Sequence, residues 1–453
     1  MTPQLSVIIP TCNRRPSVVR LLRAIANDPS APTFEVIVVD DGSCDDTVAT
    51  LEQLRPAFPL RVLSQRAAGP SSARNAGARA ACGRVLLFLD DDVEPLSGTL
   101  ARHVAFHAER DDLIGVGDLP PVVADTSFIG ITLRGWWERM LHDFRKPGHR
   151  AGFRNVLTGH LSIHRARFEA LGGFDLELRC HEDWEFGYRG MKAGMQIRFV
   201  AGASAWHHET STLTKILKRK FDEGVADVQL ASRHPELTPA LPFYWPPSRK
   251  AGVLMRLAWR PAVGAVVERA LHMRLHLAEA LRTRGRWRAI LNLLLAYSYW
   301  RGVASVVPDR RTITTKRRAP YTYTPPEACI DLRHGIDRAA KRLDLLSPRS
   351  AALFFGNSAI GIIHDLPGLE PLRGEHLRSM LAVPYYRTAL RKAMQKAGAL
   401  PPVLGTGDDS THASRRMPYM SAPVVRDEQL APQRAASLDT QHRAAVPPVH
   451  DVA

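Results

Sequence analysis

Residues 84–95, Arg-Val-Leu-Leu-Phe-Leu-Asp-Asp-Asp-Val-Glu-Pro, drive five consecutive apolar residues straight into three carboxylates. A strand apolar on both faces, Val85 to Leu89, must be covered on both sides, which is the condition of a parallel strand inside an α/β layer. Asp90, Asp91 and Asp92 then fall at its carboxyl end, where open α/β sheets bind their ligands. Three adjacent acids repel one another, and a divalent cation holding a phosphorylated ligand is the simplest relief. A solvated acidic turn is the alternative that this stretch leaves open by itself.

The same pattern recurs upstream. Phe34 to Val39 is an apolar strand that runs into Asp40, Asp41, Gly42 and Ser43, and Leu5 to Ile9 runs into Pro10, Thr11, Cys12 and Asn13. Between these two strands, Val18, Val19, Leu21, Leu22 and Ile25 recur at helical spacing, with Ser17 as a candidate N-cap. Asp45 to Leu54 offers a second helix and Leu60 to Leu63 a short third strand. Strand and helix in alternation predict a parallel sheet of right-handed βαβ units flanked by helices on both faces. Three polar turns therefore meet at one sheet edge.

A dinucleotide fold would need glycines in the first turn, and Pro10-Thr11-Cys12-Asn13-Arg14 has none. No Walker-type phosphate loop occurs either. Acidic turns in place of glycine turns indicate that a metal, rather than backbone amides, carries phosphate charge.

Four blocks, Val7-Ile-Ile-Pro-Thr-Cys-Asn13, Val38-Val-Asp-Asp-Gly-Ser43, Gly69-Pro-Ser-Ser-Ala-Arg-Asn-Ala-Gly77 and Phe88-Leu-Asp-Asp-Asp92, resemble the family 2 glycosyltransferases. The resemblance continues through Leu171-Gly-Gly-Phe-Asp175, Glu182-Asp183-Trp-Glu-Phe-Gly-Tyr-Arg189 and Ala205-Trp-His-His208, so that seven blocks keep the family's order across residues 5 to about 210. It implies a GT-A fold, a mostly parallel sheet flanked by helices, and a nucleotide-diphospho-sugar donor. Residue by residue, it implies that Asp41, supported by Asp40, reads base and ribose, and that Pro10 and Thr11 touch the base. Arg74 and Asp91 are implied by the resemblance to lie near the nucleotide. Asp90 and Asp92, with His207 or else His208, are implied to hold Mn²⁺ or Mg²⁺ and so to stabilise the leaving diphosphate. Asp183 is implied as the general base that deprotonates a hydroxyl acceptor, with Glu182 raising its pKa by like-charge repulsion. One base without a covalent nucleophile implies inversion at the anomeric carbon. Uridine is the commonest base among such enzymes, with GDP- and dTDP-linked donors open. The stretch Asp118 to Gly159 is expected to read the sugar, and Arg154 and His160 are candidate contacts to donor or acceptor.

The blocks define a catalytic domain over residues 1–245. Residues 246–308 form a basic helical region, 309–327 a basic Pro-containing linker, 328–397 a small appended unit of unknown role, and 398–453 a tail expected to be disordered from its Pro, Ala, Ser and charge content. In the unit after the linker, Ile336 to Leu346 predicts a helix, and Leu353 to Phe355 with Ile360 to Ile363 predicts a strand or buried loop.

Of the formal net charge of +16, +13 lies between Arg249 and Arg318, which hold 16 Lys and Arg against Glu268, Glu279 and Asp309. Mixed among these are Leu254, Leu257, Trp259, Val263, Val266 and Val267, then Leu291, Leu293, Leu294, Leu295, Tyr297, Tyr299, Trp300 and Val303. That mixture predicts amphipathic helices on an anionic membrane surface, with Ala289 to Val307 interfacial because Arg301 interrupts it. A helical hairpin packed on the catalytic domain is the alternative. A Gln-x-x-Arg-Trp motif of processive synthases is absent: Thr283-Arg-Gly-Arg286-Trp287 has Thr in place of Gln. Transfer of one sugar per encounter is therefore expected.

Five cysteines without a Cys-x-x-Cys spacing point to reduced thiols, and a first strand at Leu5 leaves no room for a signal peptide, so a cytoplasmic protein, peripheral at the inner face of the cell membrane, is expected. The acceptor implied is a lipid-linked glycan or a small molecule, in cell-surface glycan or glycolipid synthesis, and nucleic acid is not an expected partner. Two alternatives remain at this point: a non-catalytic nucleotide-sugar-binding membrane adaptor, and a sugar nucleotidyltransferase.

Overall fold

A computed structural model describes residues 2–244, 249–316 and 325–399, which form two units. The first comprises residues up to Tyr323 together with Leu366–Glu370, and the second the remainder from Thr324. Residues 400–453, on which almost all of the expected tail falls, and 317–324, which fall in the expected linker, lie outside the described residues.

The first unit runs β1 (Leu5–Thr11), α1 (Arg15–Ala26), β2 (Phe34–Asp41), α2 (Thr47–Gln53), β3 (Leu60–Gln65), α3 (Pro70–Ala80), β4 (Val85–Leu89), β5 (Val93–Pro95), α4 (Thr99–Phe106), β6 (Leu113–Asp118), β7 (Pro121–Val122), α5 (Phe128–Phe144), β8 (His160–His164), α6 (Arg165–Ala170), α7 (Glu182–Lys192) and β9 (Gln196–His208). The strands lie in the order β3-β2-β1-β4-β8-β6-β9-β5, with β7 also on β9. The first four are parallel, as the alternation of strands and helices dictates. Strand β8 runs antiparallel to β4 and β6, so the sheet is mixed. All seven residues of β1 and all five of β4 are buried, which is what a strand covered on both faces requires.

Helix α3 seats tightly on β1 because Gly77 lacks a side chain: a Cβ there would stand 2.5 Å from Ile8 Cγ2. The end of β9 closes the edge, pairing His207 with Val93 of β5 and with Pro121 of β7.

A helical layer follows: α8 (Leu213–Arg233), α9 (Arg249–Ala258), α10 (Pro261–Ala280), α11 (Arg284–Val306) and α12 (Arg310–Lys316). Helices α8 and α11 approach so closely that a Cβ on Gly224 would lie 2.1 Å from the Tyr299 carbonyl oxygen, and one on Gly302 1.9 Å from that of Phe221. Trp287, Leu291, Leu294, Tyr297, Tyr299, Trp300 and Val303 are buried in one cluster with Leu230 of α8 and Leu275 of α10. The expectation that Ala289 to Val307 lies in a membrane interface is therefore corrected. Its apolar residues are the core of a helical layer, where three neighbouring helices cover a helix that is apolar nearly all round.

The second unit has a three-stranded sheet, β10 (Ala328–Asp331), β11 (Ala351–Phe355) and β12 (Ser358–Ile363), with α13 (Ile336–Leu346), α14 (Gly374–Leu381) and α15 (Pro384–Lys396). Ile330, Leu343, Leu353 and Leu377 are fully buried in its core.

Candidate functional site

The register of the sheet brings the polar turns together. Thr11 pairs with Asp40 at the end of β1 and β2, and Asp90 follows β4 one strand away. Thr11 Oγ1 donates to Asp91 Oδ2 at 2.8 Å. The Arg14 guanidinium, entering from the same turn, lies 2.6 Å from Asp91 Oδ1 and 2.8 Å from Asp92 Oδ2. Burial pushes the Asp91 carboxyl up to about 6 although Arg14 and Thr11 pull it down. Arg14 is partly desolvated, yet Asp91 and Asp92 hold its pKa above its ordinary value. Nothing in the sequence patterns singles out Arg14; only the fold of the first turn, with Asn13 in the left-handed region at φ 54°, aims it at the acids.

Arg74 joins the two halves of the site. It is buried on α3, with Nη2 2.7 Å from Asp90 Oδ1 and Nη1 3.0 Å from Glu182 Oε1. The guanidinium fork suits two carboxylates arriving from different elements. Its neighbour Asn75 clamps the Gly-Gly-Phe-Asp turn: Nδ2 donates to the Phe174 carbonyl at 2.8 Å, and Oδ1 accepts from the Phe174 N–H at 2.9 Å. The Arg-Asn pair in the third sequence block thus ties β4, the 172–174 turn and α7 together.

Asp41 holds the loop before α3, accepting from Gln65 Nε2 at 2.7 Å and from the N–H groups of Ala68 and Gly69, each at 2.8 Å. Asp40 is buried, with Oδ2 accepting from the Ser43 N–H at 3.0 Å and Oδ1 enclosed without a hydrogen-bond partner. Pro10 is buried within β1, next to Thr11.

Asp183 stands in the first turn of α7. Its Oδ1 accepts from the Trp184 N–H at 2.8 Å. Burial first, and the Glu182 charge second, push its carboxyl up to about 7, against the pull of His181. His181 itself is left-handed, at φ 61°, and its ring stacks on Trp184 at 3.7 Å between centroids. His181 Nδ1 lies 3.1 Å from Asp227 Oδ1, and Tyr299 donates to Asp227 Oδ2 at 2.5 Å. Helix α8 and the buried face of α11 therefore brace the start of α7. Asp227 and Tyr299 carry no motif and escape any reading of the sequence.

At the far end of β9, His207 Nε2 lies 3.7 Å from Asp92 Oδ1, with its ring against Trp137 at 4.3 Å. His208 instead faces Glu94, Nε2 to Oε2 2.7 Å, so His207 is the histidine that β9 delivers to the acids. Two remaining candidates lie elsewhere. His160 is fully buried, bonded to His103 at 2.9 Å, and burial pushes it down to about 4, so it is a neutral core histidine. Arg154 donates to the Ala240 carbonyl and lies 5.3 Å from the Trp184 ring, committed to packing beside α7. A cavity of about 360 Å³ lined by Gly172 to Asp175, Glu185, Arg189, Arg233 and His234 contains none of these acids, and its charges pair among themselves.

A mixed sheet flanked by helices, with its acid-bearing strand ends at one edge, is a GT-A-type α/β fold. Residues 6–171 match the family model described as Glycosyl transferase family 2. The matched stretch includes Thr11, Asp40, Asp41, Arg74 and Asp90 to Asp92, and stops short of Asp183 and His207.

Among relatives, the O-antigen biosynthesis protein RfbC of Myxococcus xanthus is 27% identical over 228 residues, 47% of this chain and 18% of its own length. Hyaluronan synthase of Pasteurella multocida is 28% identical over 45% of this chain and 24% of its own length. Validoxylamine A glucosyltransferase of Streptomyces hygroscopicus subsp. limoneus is 28% identical over 54% of this chain and 59% of its own length. The match thus spans about a fifth to a quarter of the first two relatives. Among solved structures, a mannosyltransferase from Pyrobaculum calidifontis in complex with GDP-Man and Mn²⁺ aligns at 20% identity over 66% of this chain and 87% of that one, with a TM-score of 0.45.

Proposed function

We infer that this chain transfers a single sugar from a nucleotide-diphospho-sugar to a hydroxyl acceptor, with inversion at the anomeric carbon. The observation that carries the reading is Arg74. It links Asp90 of the acid turn to Glu182, the residue beside Asp183, within one guanidinium. Acids suited to a leaving diphosphate and a carboxylate suited to proton removal thereby share one framework.

Asp183 is the base. With its carboxyl near 7, it is partly ionised at neutral pH and can still accept a proton from a hydroxyl as attack develops. Asp40 and the turn at Pro10 and Thr11 are the groups assigned to the nucleoside in this reading, a carboxylate being a suitable acceptor for a base N–H or a ribose hydroxyl. Asp41 acts in this reading by fixing the loop before α3. Arg14 and Arg74 supply positive charge around the acids, so the diphosphate can be met by guanidinium groups as well as by a cation.

The residues fit a hard divalent cation in part. Asp92 and His207 supply a carboxylate oxygen and an imidazole nitrogen facing each other at 3.7 Å, a span compatible with two ligands of one ion. Asp90 is engaged by Arg74, and among the described residues no group of three ligands is already assembled. When bound there, Mn²⁺ or Mg²⁺ supplies charge neutralisation to the leaving diphosphate. Among the described residues, no helix is long and apolar enough to cross a membrane. The acceptor we favour is a lipid-linked glycan, consistent with a relative named GalNAc(5)-diNAcBac-PP-undecaprenol beta-1,3-glucosyltransferase, 36% identical over 22% of this chain.

A thermal-shift panel of UDP, GDP, dTDP and CDP, each with and without Mn²⁺, tests the donor side. Stabilisation by one nucleotide, greater with metal, is the expected result. No shift with any nucleotide would remove the donor site, and a shift without any sugar release would favour the non-catalytic binder.

A further inference from the structure

Helix α10 is apolar on two faces, and only one of them is covered. Leu271, Leu275 and Ala278 point into the helical core. Val263, Val266, Ala270, Met273, Leu277 and Leu281 recur at steps of three or four residues and form a second stripe. This stripe is open to solvent among the described residues: Val266 is 66% exposed, Met273 69%, Leu277 58% and Leu281 61%. Its borders are basic. Arg269 and His276 flank one side and Arg274 the other, all exposed, with Arg282 and Arg284 just beyond the helix. Of the two acids on α10, Glu268 is taken up by Arg301 at 2.7 Å.

We propose that this face of α10 is a docking surface for an anionic lipid bilayer. The helix lies in the interface plane, with Val266, Met273 and Leu277 among the acyl chains and Arg269 and Arg274 at the lipid phosphates. The stripe from Val263 to Leu281 is about 27 Å long at 1.5 Å per residue, and it is apolar on its crest with cations along both shoulders, the pattern of a helix that lies on a membrane. Long arginine side chains can keep their charge at the headgroups while their stems cover apolar surface. The surplus of Lys and Arg over acids in this region gives the complementary sign, and each cation near an anionic surface adds to the attraction. A second copy of the chain is a poorer occupant, since a twofold seam would bring one arginine shoulder against another.

The surface keeps only part of the one the sequence suggests, Val263 and Val266. The aromatic-rich α11 is interior, and the exposed lipid face belongs to α10, whose mixture of Val, Met, Leu and Ala is less conspicuous. The proposal does not depend on sugar transfer: vesicle binding and donor turnover are read separately, so either can fail alone.

The test is flotation of the full chain with phosphatidylcholine vesicles, with and without about 30% phosphatidylglycerol, beside light scattering for the solution mass. The wild type is expected to float with the anionic vesicles and to lose most binding with neutral ones. The triple variant V266S/M273Q/L277Q should bind at least about tenfold more weakly with an unchanged melting temperature. R269Q/R274Q should keep the fold and lose the preference for anionic lipid. Wild-type protein left in the soluble fraction, or a stripe variant that floats as well as the wild type, overturns the proposal. So does a wild-type dimer that the triple variant converts to monomer, which would make the face a protein seam.

Discussion

The acid edge of the sheet and the helical layer are held together by opposite means. At the sheet edge, charge is brought inward and matched: Arg14 between Asp91 and Asp92, Arg74 between Asp90 and Glu182. In the helical layer, Trp287, Trp300, Tyr297 and Tyr299 fill an apolar interior around two glycine crossings, with Asp227 buried beside Tyr299 and His181. The first arrangement is poised to exchange its internal partners for a ligand, whereas the second has no such alternative. Mutations at the edge should therefore appear in binding and turnover, and mutations in the layer should appear in stability.

The largest effect expected at the edge is from Asp183→Asn. Removing the base should lower kcat by about 10²–10⁴-fold while the thermal shift caused by donor stays as it is. Equal losses of donor affinity and turnover would reassign Asp183 to binding. In the layer, Trp300→Ala should cost about 3–5 kcal/mol, read by chemical denaturation, because the side chain is fully buried. Met273→Ala on the open face of α10 should stay within about 0.5 kcal/mol. A similar loss at both positions would dissolve the distinction between the two helices.

Arg74→Met should show both behaviours. It leaves the buried Glu182 without its cation, for a loss of about 3–5 kcal/mol, and separates the acid turn from α7, so activity should fall further than stability alone explains. Asp92→Ala should abolish the Mn²⁺-dependent part of nucleotide-diphosphate affinity and leave the metal-free part; an unchanged Mn²⁺ response would remove Asp92 from the metal site.

The smallest effect is in pH. The folded Asp183 carboxyl sits near 7 against an ordinary 3.8, so the folded state binds the extra proton across that interval. Stability contributed by the protonated form is lost as pH rises from about 4 to about 7. Asp183→Asn should accordingly raise the melting temperature relative to wild type at pH 8 and leave it unchanged at pH 4. Turnover by the wild type should rise through pH ~7 with the same group.

Much of the sheet edge is legible in the sequence, because a strand followed by an acidic turn is a local pattern. Val85 to Leu89 and Phe34 to Val39 announce both the element and the place of its carboxylates. The partners of those acids are not local. Arg14 lies 77 residues from Asp91, and Arg74 lies 108 residues from Glu182. Periodicity cannot say where a guanidinium will end. The antiparallel turn of β8 is equally silent, since a buried strand reads the same in either direction. In the helical layer the failure is of another kind. Aromatic residues mixed with arginine suit an interface and a core alike, and only the glycine crossing at Gly224 and Gly302 decides that α11 is core. His160 shows the same limit at one residue, a histidine in a promising loop that the fold buries against His103.

In the proposed reaction the acid turn and Asp183 act on one donor. The most direct measurement is release of nucleoside diphosphate from UDP-, GDP- and dTDP-linked sugars in the presence of Mn²⁺, for wild type and Asp183→Asn side by side. The wild type should release nucleoside diphosphate from one donor class, and the variant should lose about 10²-fold or more of that rate with donor-induced stabilisation retained. Equal release by both proteins would contradict the proposed reaction.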